Sequence, residues 1–281
     1  SDWIGWNRTV LEYLKDYADY ISLHIYVGNP TNDYADFVAS PIEMDQKIET
    51  LAGLIDAAMS NRVERLTGAP NRDGKKIYIA LDEWNVWYRA RGAGQRGRRI
   101  LEEHYNLEDA LVVAGFLNSL VNHADVVKIA NLAQLVNVIA PIFTNDKGLF
   151  LQTIYYPLQL FARNVKGNSL ELLVDSPSYK SKRFDKVPYL DASASINGND
   201  LVINIVNRHE SQAIDAVISL EDKSFAGAVS VAEVNGPDIK AENDFGKTLV
   251  STRNSSVNAG GAGLTYSFAP HSSTQLRARL V

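Results

Sequence analysis

The chain contains no cysteine. That excludes disulfides, thiolate metal sites and cysteine nucleophiles, and it says nothing of compartment. Positive charge is not in excess. The 28 Lys and Arg stand against 33 Asp and Glu, a net charge of −5, without the basic footprint of a nucleic-acid or anionic-membrane binder. No apolar run reaches the ~20 residues a membrane-spanning helix needs. The opening residues Ser1-Asp2-Trp3-Ile4-Gly5-Trp6 lack the basic and apolar regions of a secretory leader. The compartment stays open, with the cytoplasm favoured. There is no phosphate-cradling glycine loop followed by lysine and serine or threonine, and no His-Glu-x-x-His helix. Neither a nucleotide nor a metal is indicated, and no cofactor is expected. No internal repeat is visible. What remains is 281 residues, 46% hydrophobic and 22% charged, the composition of a globular protein with one large or two ordinary domains.

The most informative stretch is Ile77-Tyr78-Ile79-Ala80-Leu81-Asp82-Glu83-Trp84-Asn85-Val86-Trp87-Tyr88. Its apolar run is too short for most helices and reads as a strand buried on both faces, as in a parallel sheet. It ends in two acids and a cluster of rings and an amide. An α/β barrel presents chemistry in this way, at the C-terminal rim of its strands. Strict alternation sends Asp82 and Glu83 to opposite faces, so one can face a substrate while the other is held by its surroundings. The competing reading is a capping acid at a strand-to-loop junction followed by core aromatics.

Residues 2 to 18 read as a helix with Asp2 as N-cap, and 19 to 27 as an alternating strand containing His24 and Tyr26. Residues 28 to 33 form a loop. Ser40-Pro41 opens an amphipathic helix to about residue 66. Gly68 to Lys76 is a turn-rich connection. The glycine- and arginine-rich stretch 89 to 99 is the one basic patch, read as a loop beside the rim rather than a nucleic-acid site. A buried helix spans Leu107 to Val121, a third strand 124 to 130, and a further helix Leu151 to Asn164. Helices alternating with strands indicate βαβ units and a parallel sheet. From about Lys166 the helical period disappears. Short alternating runs follow at 170–174, 190–196, 201–207, 213–220, 229–234, 264–268 and 273–280, with a hairpin turn at Asn197-Gly198-Asn199-Asp200. They predict a β-sandwich over 166–281 after an α/β region over 1–165.

The strand ends collect a carboxylate, an imidazole, a phenol, an indole and amides. Rings that pack on the apolar face of a sugar and polar groups that bond its hydroxyls suit a carbohydrate. His24 on its own also fits a structural, hydrogen-bonded histidine. Three segments taken together, Ile21-Ser22-Leu23-His24-Ile25-Tyr26, Leu81 to Tyr88 and Asn131 to Ile142, resemble glycoside hydrolase family 51, the α-L-arabinofuranosidases. The resemblance extends to the C-terminus. It implies the last part of a (β/α)8 TIM barrel, strands six to eight, followed by a jelly-roll β-sandwich. It further implies a retaining hydrolase acting on arabinose-containing oligosaccharides or polysaccharides, with Glu83 as nucleophile. His24 and Tyr26 would stand beside that nucleophile, and Trp87 and Gln134 would line the arabinofuranose pocket. A homo-oligomer is a further expectation of the same kind.

The resemblance is incomplete. Family members carry barrel strands one to five and an Asn-Glu pair with the acid/base glutamate, none of which this chain contains. Three βα units cannot close a barrel. The expectation is an open sheet with an apolar inner face, completed by a complementary N-terminal polypeptide of the same enzyme. Taken alone, the chain is expected to be inactive. An endo-glucanase or xylanase on the same fold, and a non-catalytic carbohydrate-binding fragment, are the alternative readings.

Overall fold

A computed structural model of the chain describes residues 2–60, 75–88 and 102–281. The stretch 89–99 and most of the 68–76 connection lie outside the described residues, as does the end of the helix predicted to residue 66.

Helix α1 (Trp3–Leu14) begins where Asp2 accepts the Gly5 N–H at 2.8 Å, and it ends before the expected residue 18. Strand β1 (Tyr20–Val27) alternates in burial: Ile21, Leu23, Ile25 and Val27 go inward, and Tyr20, Ser22, His24 and Tyr26 take the other face. A short helix α2 (Tyr34–Phe37), capped by Asp33, is too brief to leave a periodic signal in the sequence. Helix α3 (Pro41–Ser60) buries Met44, Ile48, Leu51 and Ile55. Strand β2 (Tyr78–Val86) is followed by helix α4 (Leu107–Asn122), which opens with a reciprocal cap between Asn106 and Asp109. Strand β3 (Val127–Leu132) completes a parallel sheet ordered β1-β2-β3.

Helices cover one face of this sheet, where Leu23, Ile79, Leu81 and Trp84 pack with Ile48, Leu51 and Phe116. The other face departs from the sequence expectation of an apolar inner surface. It carries Ser22, His24, Tyr26, Asp82 and Glu83, because the strict alternation of β1 spends its aliphatic residues on the helix side. Between the third strand and the last helix, where the sequence reading places no element, lies a hairpin, β4 (Ile142–Asn145) with β5 (Gly148–Leu151). The hairpin takes Leu151, so helix α5 (Tyr155–Asn164) starts later than predicted.

The remainder is strands: β6 (Asn168–Leu170), β7 (Ser178–Tyr179), β8 (Val187–Pro188), β9 (Leu190–Asn197), β10 (Asp200–Asn207), β11 (Ile214–Ser219), β12 (Ala228–Asn235), β13 (Ser251–Asn258), β14 (Gly263–Phe268) and β15 (Ser272–Arg279). Gly167, at φ +78, admits the chain to β6; a Cβ there would sit 2.1 Å from the Ile196 carbonyl oxygen. A six-stranded antiparallel sheet, β13-β12-β15-β10-β9-β6, faces the β11-β14 pair across a core of Leu201, Ile203, Ile205, Phe225 and Phe268. This is a sandwich-like arrangement. Helices α4 and α5 cover the outer face of the larger sheet through Leu107, Ala110 and Leu160 against Ala232 and Val234. Two details differ from the sequence reading. The strand expected over 170–174 stops at Leu170, and Leu173 is fully exposed. Strand β13 was missed, because Ser-Thr-Arg-Asn-Ser-Ser-Val-Asn shows no apolar alternation; as an edge strand it is held by main-chain pairing to β12.

Candidate active site

The chemistry sits on the open face of the parallel sheet. Along β1, Ser22, His24 and Tyr26 share that face because they are two residues apart. Along β2 the geometry is less simple. Ser22 pairs with Ala80 and His24 with Glu83, so two steps on β1 span three on β2. On the other side Leu81 pairs with Ala130 and Trp84 with Leu132, again three against two. One extra residue is accommodated in β2, a β-bulge in the strand that carries both acids.

The bulge overturns the expectation that Asp82 and Glu83 point apart. Both carboxylates reach the β1 residues of the open face. Ser22 Oγ donates to Asp82 Oδ1 at 2.7 Å, and Tyr26 O–H donates to Glu83 Oε2 at 2.9 Å. His24 lies between them, Nε2 3.2 Å from Asp82 Oδ1 and Nδ1 3.6 Å from Glu83 Oε2. His24, Asp82 and Glu83 are each close to half exposed, at 49%, 41% and 48% of their side chains.

The rim is built around this group. The ring of Trp87, just past β2, meets Tyr26 edge-on at 5.2 Å, and the Trp87 main-chain N–H donates to the Val27 carbonyl at 2.7 Å. Buried Asn85 clamps the loop after β3 by donating to the Ala133 and Ile139 carbonyls at 2.7 and 2.5 Å. Gln134 follows the cis Ala133-Gln134 peptide in that loop, with its side chain exposed and its N–H bonded to Ile139 O at 3.3 Å. Gln152 ties the next layer, donating to the Glu103 and Ala140 carbonyls and accepting from the Tyr105 N–H. Tyr105 O–H donates to Val86 O at 2.7 Å, and Tyr88 O–H bonds Asp109.

The structure therefore brings His24, Tyr26, Glu83 and Trp87 into one cluster. It places Gln134 on the adjoining loop, without a contact that joins it to them. Ser22, Asp82 and Asn85 belong to the arrangement and were not singled out as site residues from the sequence. Alternation from His24 would have pointed to Ser22. Nothing in the sequence marks the bulge that recruits Asp82. A half-exposed carboxylate that accepts a phenolic O–H is placed to act as a nucleophile or base towards a ligand resting on the Tyr26–Trp87 wall. Among the described residues no group of three or more His, Asp or Glu could hold a metal ion.

The family model of the α-L-arabinofuranosidase C-terminal domain matches residues 82–272. The intracellular exo-α-(1→5)-L-arabinofuranosidase 1 of Bacillus subtilis is 38% identical over 284 residues, covering 98% of this chain and 55% of that protein. An exo-α-(1→6)-L-arabinofuranosidase of Bifidobacterium longum is 34% identical, covering 85% of this chain and 47% of that protein. The crystal structure of the Thermotoga maritima α-L-arabinofuranosidase in complex with arabinose superposes with a TM-score of 0.82 at 29% identity, over 99% of this chain and 56% of that one. The chain thus spans about half the length of the relatives it matches.

Proposed function

This chain belongs to the α-L-arabinofuranosidase C-terminal domain family, and from that membership we propose that the protein carrying it is a retaining exo-acting α-L-arabinofuranosidase with Glu83 as nucleophile. The observation that carries the reading is the placement of Glu83 at the end of the central parallel strand, held by Tyr26 O–H and faced by His24. The ionised carboxylate attacks the anomeric carbon through an oxocarbenium-like transition state, and a covalent glycosyl-enzyme forms. Tyr26 fixes the attacking rotamer. Trp87 walls the furanose, and Gln134 bonds its hydroxyls from the neighbouring loop.

Among the described residues β1 and β3 are the edges of the three-stranded sheet. In the complete protein, further strands pair with those edges and close a (β/α)8 barrel. The same segment supplies the acid/base carboxylate about 5 Å from Glu83, the separation of retaining enzymes. The substrates are arabinan- or arabinoxylan-type chains that end in α-L-arabinofuranosyl units. The compartment proposed is the intracellular one in the name of the Bacillus relative.

Glu83→Ala in the complete protein tests this. Turnover of an aryl α-L-arabinofuranoside should fall by about 10³-fold or more, and added azide should restore part of it on an activated substrate. Near-normal hydrolysis by that variant would remove Glu83 from the role.

A further inference from the structure

The β2 bulge gives Glu83 a neighbour that its role as nucleophile does not require. Asp82 lies on the same face and binds the far side of His24. Its Oδ1 accepts from Ser22 Oγ at 2.7 Å and stands 3.2 Å from His24 Nε2, while Ser22 Oγ is itself 3.1 Å from that nitrogen. An ionised carboxylate only accepts, and the single Ser22 hydrogen is committed to it. Nε2 must therefore carry a proton. Nδ1, the other ring nitrogen, lies 3.6 Å from Glu83 Oε2, an ion-pair separation rather than a hydrogen bond. Each nitrogen has a carboxylate within 4 Å, and the ring can serve both only with both protons in place.

We propose that Asp82 is a positioning residue. With Ser22 it holds a proton on His24 Nε2 and supplies the counter-charge for an imidazolium whose Nδ1–H points at Glu83. The inference rests on Glu83 being the nucleophile. Its consequence falls on the second half of the reaction. While the glycosyl ester exists, Glu83 bears no charge and gives the imidazolium no support; Asp82 does. In hydrolysis the oxygen of water bonds to the anomeric carbon, and its proton passes to the acid/base carboxylate. The bond from that carbon to the Glu83 oxygen breaks, and the electron pair stays on the oxygen. A ring kept charged by Asp82 meets that reborn carboxylate with an N–H already aimed at it. In the first half the same N–H blunts Glu83 as a nucleophile, so losing it there costs little.

Asp82→Asn in the complete protein separates this from a structural role. The expected result is a kcat lower by roughly tenfold or more with a parallel fall in KM, so that kcat/KM for an activated aryl arabinofuranoside changes only a few-fold. A pre-steady-state burst should mark accumulated glycosyl-enzyme. A fall in kcat/KM as large as that in kcat, with no burst, would overturn the proposal, since it would mean a displaced Glu83. Nitrogen-15 spectra of the wild-type histidines, with the His24 signal assigned by its loss in His24→Gln, give a reading that needs no Asp82 variant. Protonation at both ring nitrogens is expected, and a bare Nε2 would also overturn it. If Glu83→Ala keeps its activity, the nucleophile assignment fails first; if Glu83→Ala is dead while Asp82→Asn is unaltered, only the positioning role fails.

Discussion

Two polar faces of this molecule have opposite fates. On the parallel sheet, Ser22, His24, Tyr26, Asp82 and Glu83 lie on an open face, with His24, Asp82 and Glu83 close to half exposed. On the six-stranded sheet a second polar strip lies sealed under α4 and α5. Ser193 Oγ donates to Asn118 Oδ1, Asn204 Nδ2 to Ser193 Oγ, Gln275 Nε2 to Asn204 Oδ1 and Asn164 Nδ2 to Gln275 Oε1. Asn118, Ser193, Asn204 and Gln275 are all at most 2% exposed. The difference lies in the chemistry of the side chains. Amides and hydroxyls both donate and accept, so a chain of them can satisfy itself and be buried at little cost. Carboxylates only accept, and burying several together needs cations or water. The sealed strip joins layers permanently. The open one leaves its charged groups accessible among the described residues.

A charged pair on the sealed side, Arg208 with Asp191, offers the largest test of the contrast. Arg208, 3% exposed, donates to the Val38 and Pro188 carbonyls at 3.1 Å each and pairs with Asp191 Oδ1 at 3.1 Å. Burial pushes the Asp191 carboxyl up, and Arg208 and the Asn118 amide pull it back. Arg208→Met keeps the stem and removes the partner. The expected loss, read from denaturant unfolding, is about 3–5 kcal/mol. A loss below about 1 kcal/mol would mean that water or a proton satisfies Asp191 unaided, and the sealed face would then be wetter than its neutral strip implies.

The next test is smaller and aims at the strip itself. Asn204→Ala deletes the group that joins Ser193 to Gln275 and leaves buried polar atoms with fewer partners. About 1–3 kcal/mol should be lost in the same measurement, while turnover of the complete protein stays within about twofold. Loss of activity without loss of stability would break the division of labour between the two faces.

How much of this was visible in the chain depends on the device that made each feature. The βαβ order, the Asp2 cap, the Pro41 start and the Asn197–Asp200 hairpin are local, and each follows from residues that permit few alternatives. His24, Tyr26, Glu83 and Trp87 lie side by side, a grouping legible in the chain because alternation and strand ends bring such residues together in a parallel sheet. The position of Asp82 was misjudged. A bulge is a property of pairing between strands, and no residue of Leu81-Asp82-Glu83 announces it. Strand β13 was invisible for a related reason: an edge strand can be defined by main-chain bonds to its neighbour alone. The sealed strip needs five segments brought together from residues 118 to 275, and no short-range pattern encodes that.

The smallest effect is expected where the sandwich side reaches back to the helices of the parallel sheet. The excursion that carries β7 and β8 latches onto α2 and α3: Arg183 pairs with Asp36 at 2.8 Å and Glu43 at 3.0 Å, and Lys182 pairs with Asp33 at 2.7 Å. These charges are partly exposed, with Arg183 at 38%, so screening limits their worth. Burial raises the Asp36 carboxyl, yet the Arg183 N–H, the Ser181 hydroxyl and the Arg183 guanidinium together hold it below its ordinary value of 3.8. The Lys182 ammonium and the Asp36 N–H hold Asp33 low as well. Carboxyls depressed in the fold are protonated more readily when unfolded. Their contribution is therefore complete above the ordinary carboxylate value and is lost as pH falls through the folded one. Arg183→Ala should cost about 1 kcal/mol near neutral pH and progressively less below about pH 4. A cost that stayed constant into acid would assign the latch to packing and main-chain bonds, such as Arg183 to the Asp36 carbonyl at 2.7 Å. It would then resemble the sealed strip in kind, held by main-chain and packing contacts rather than by charge.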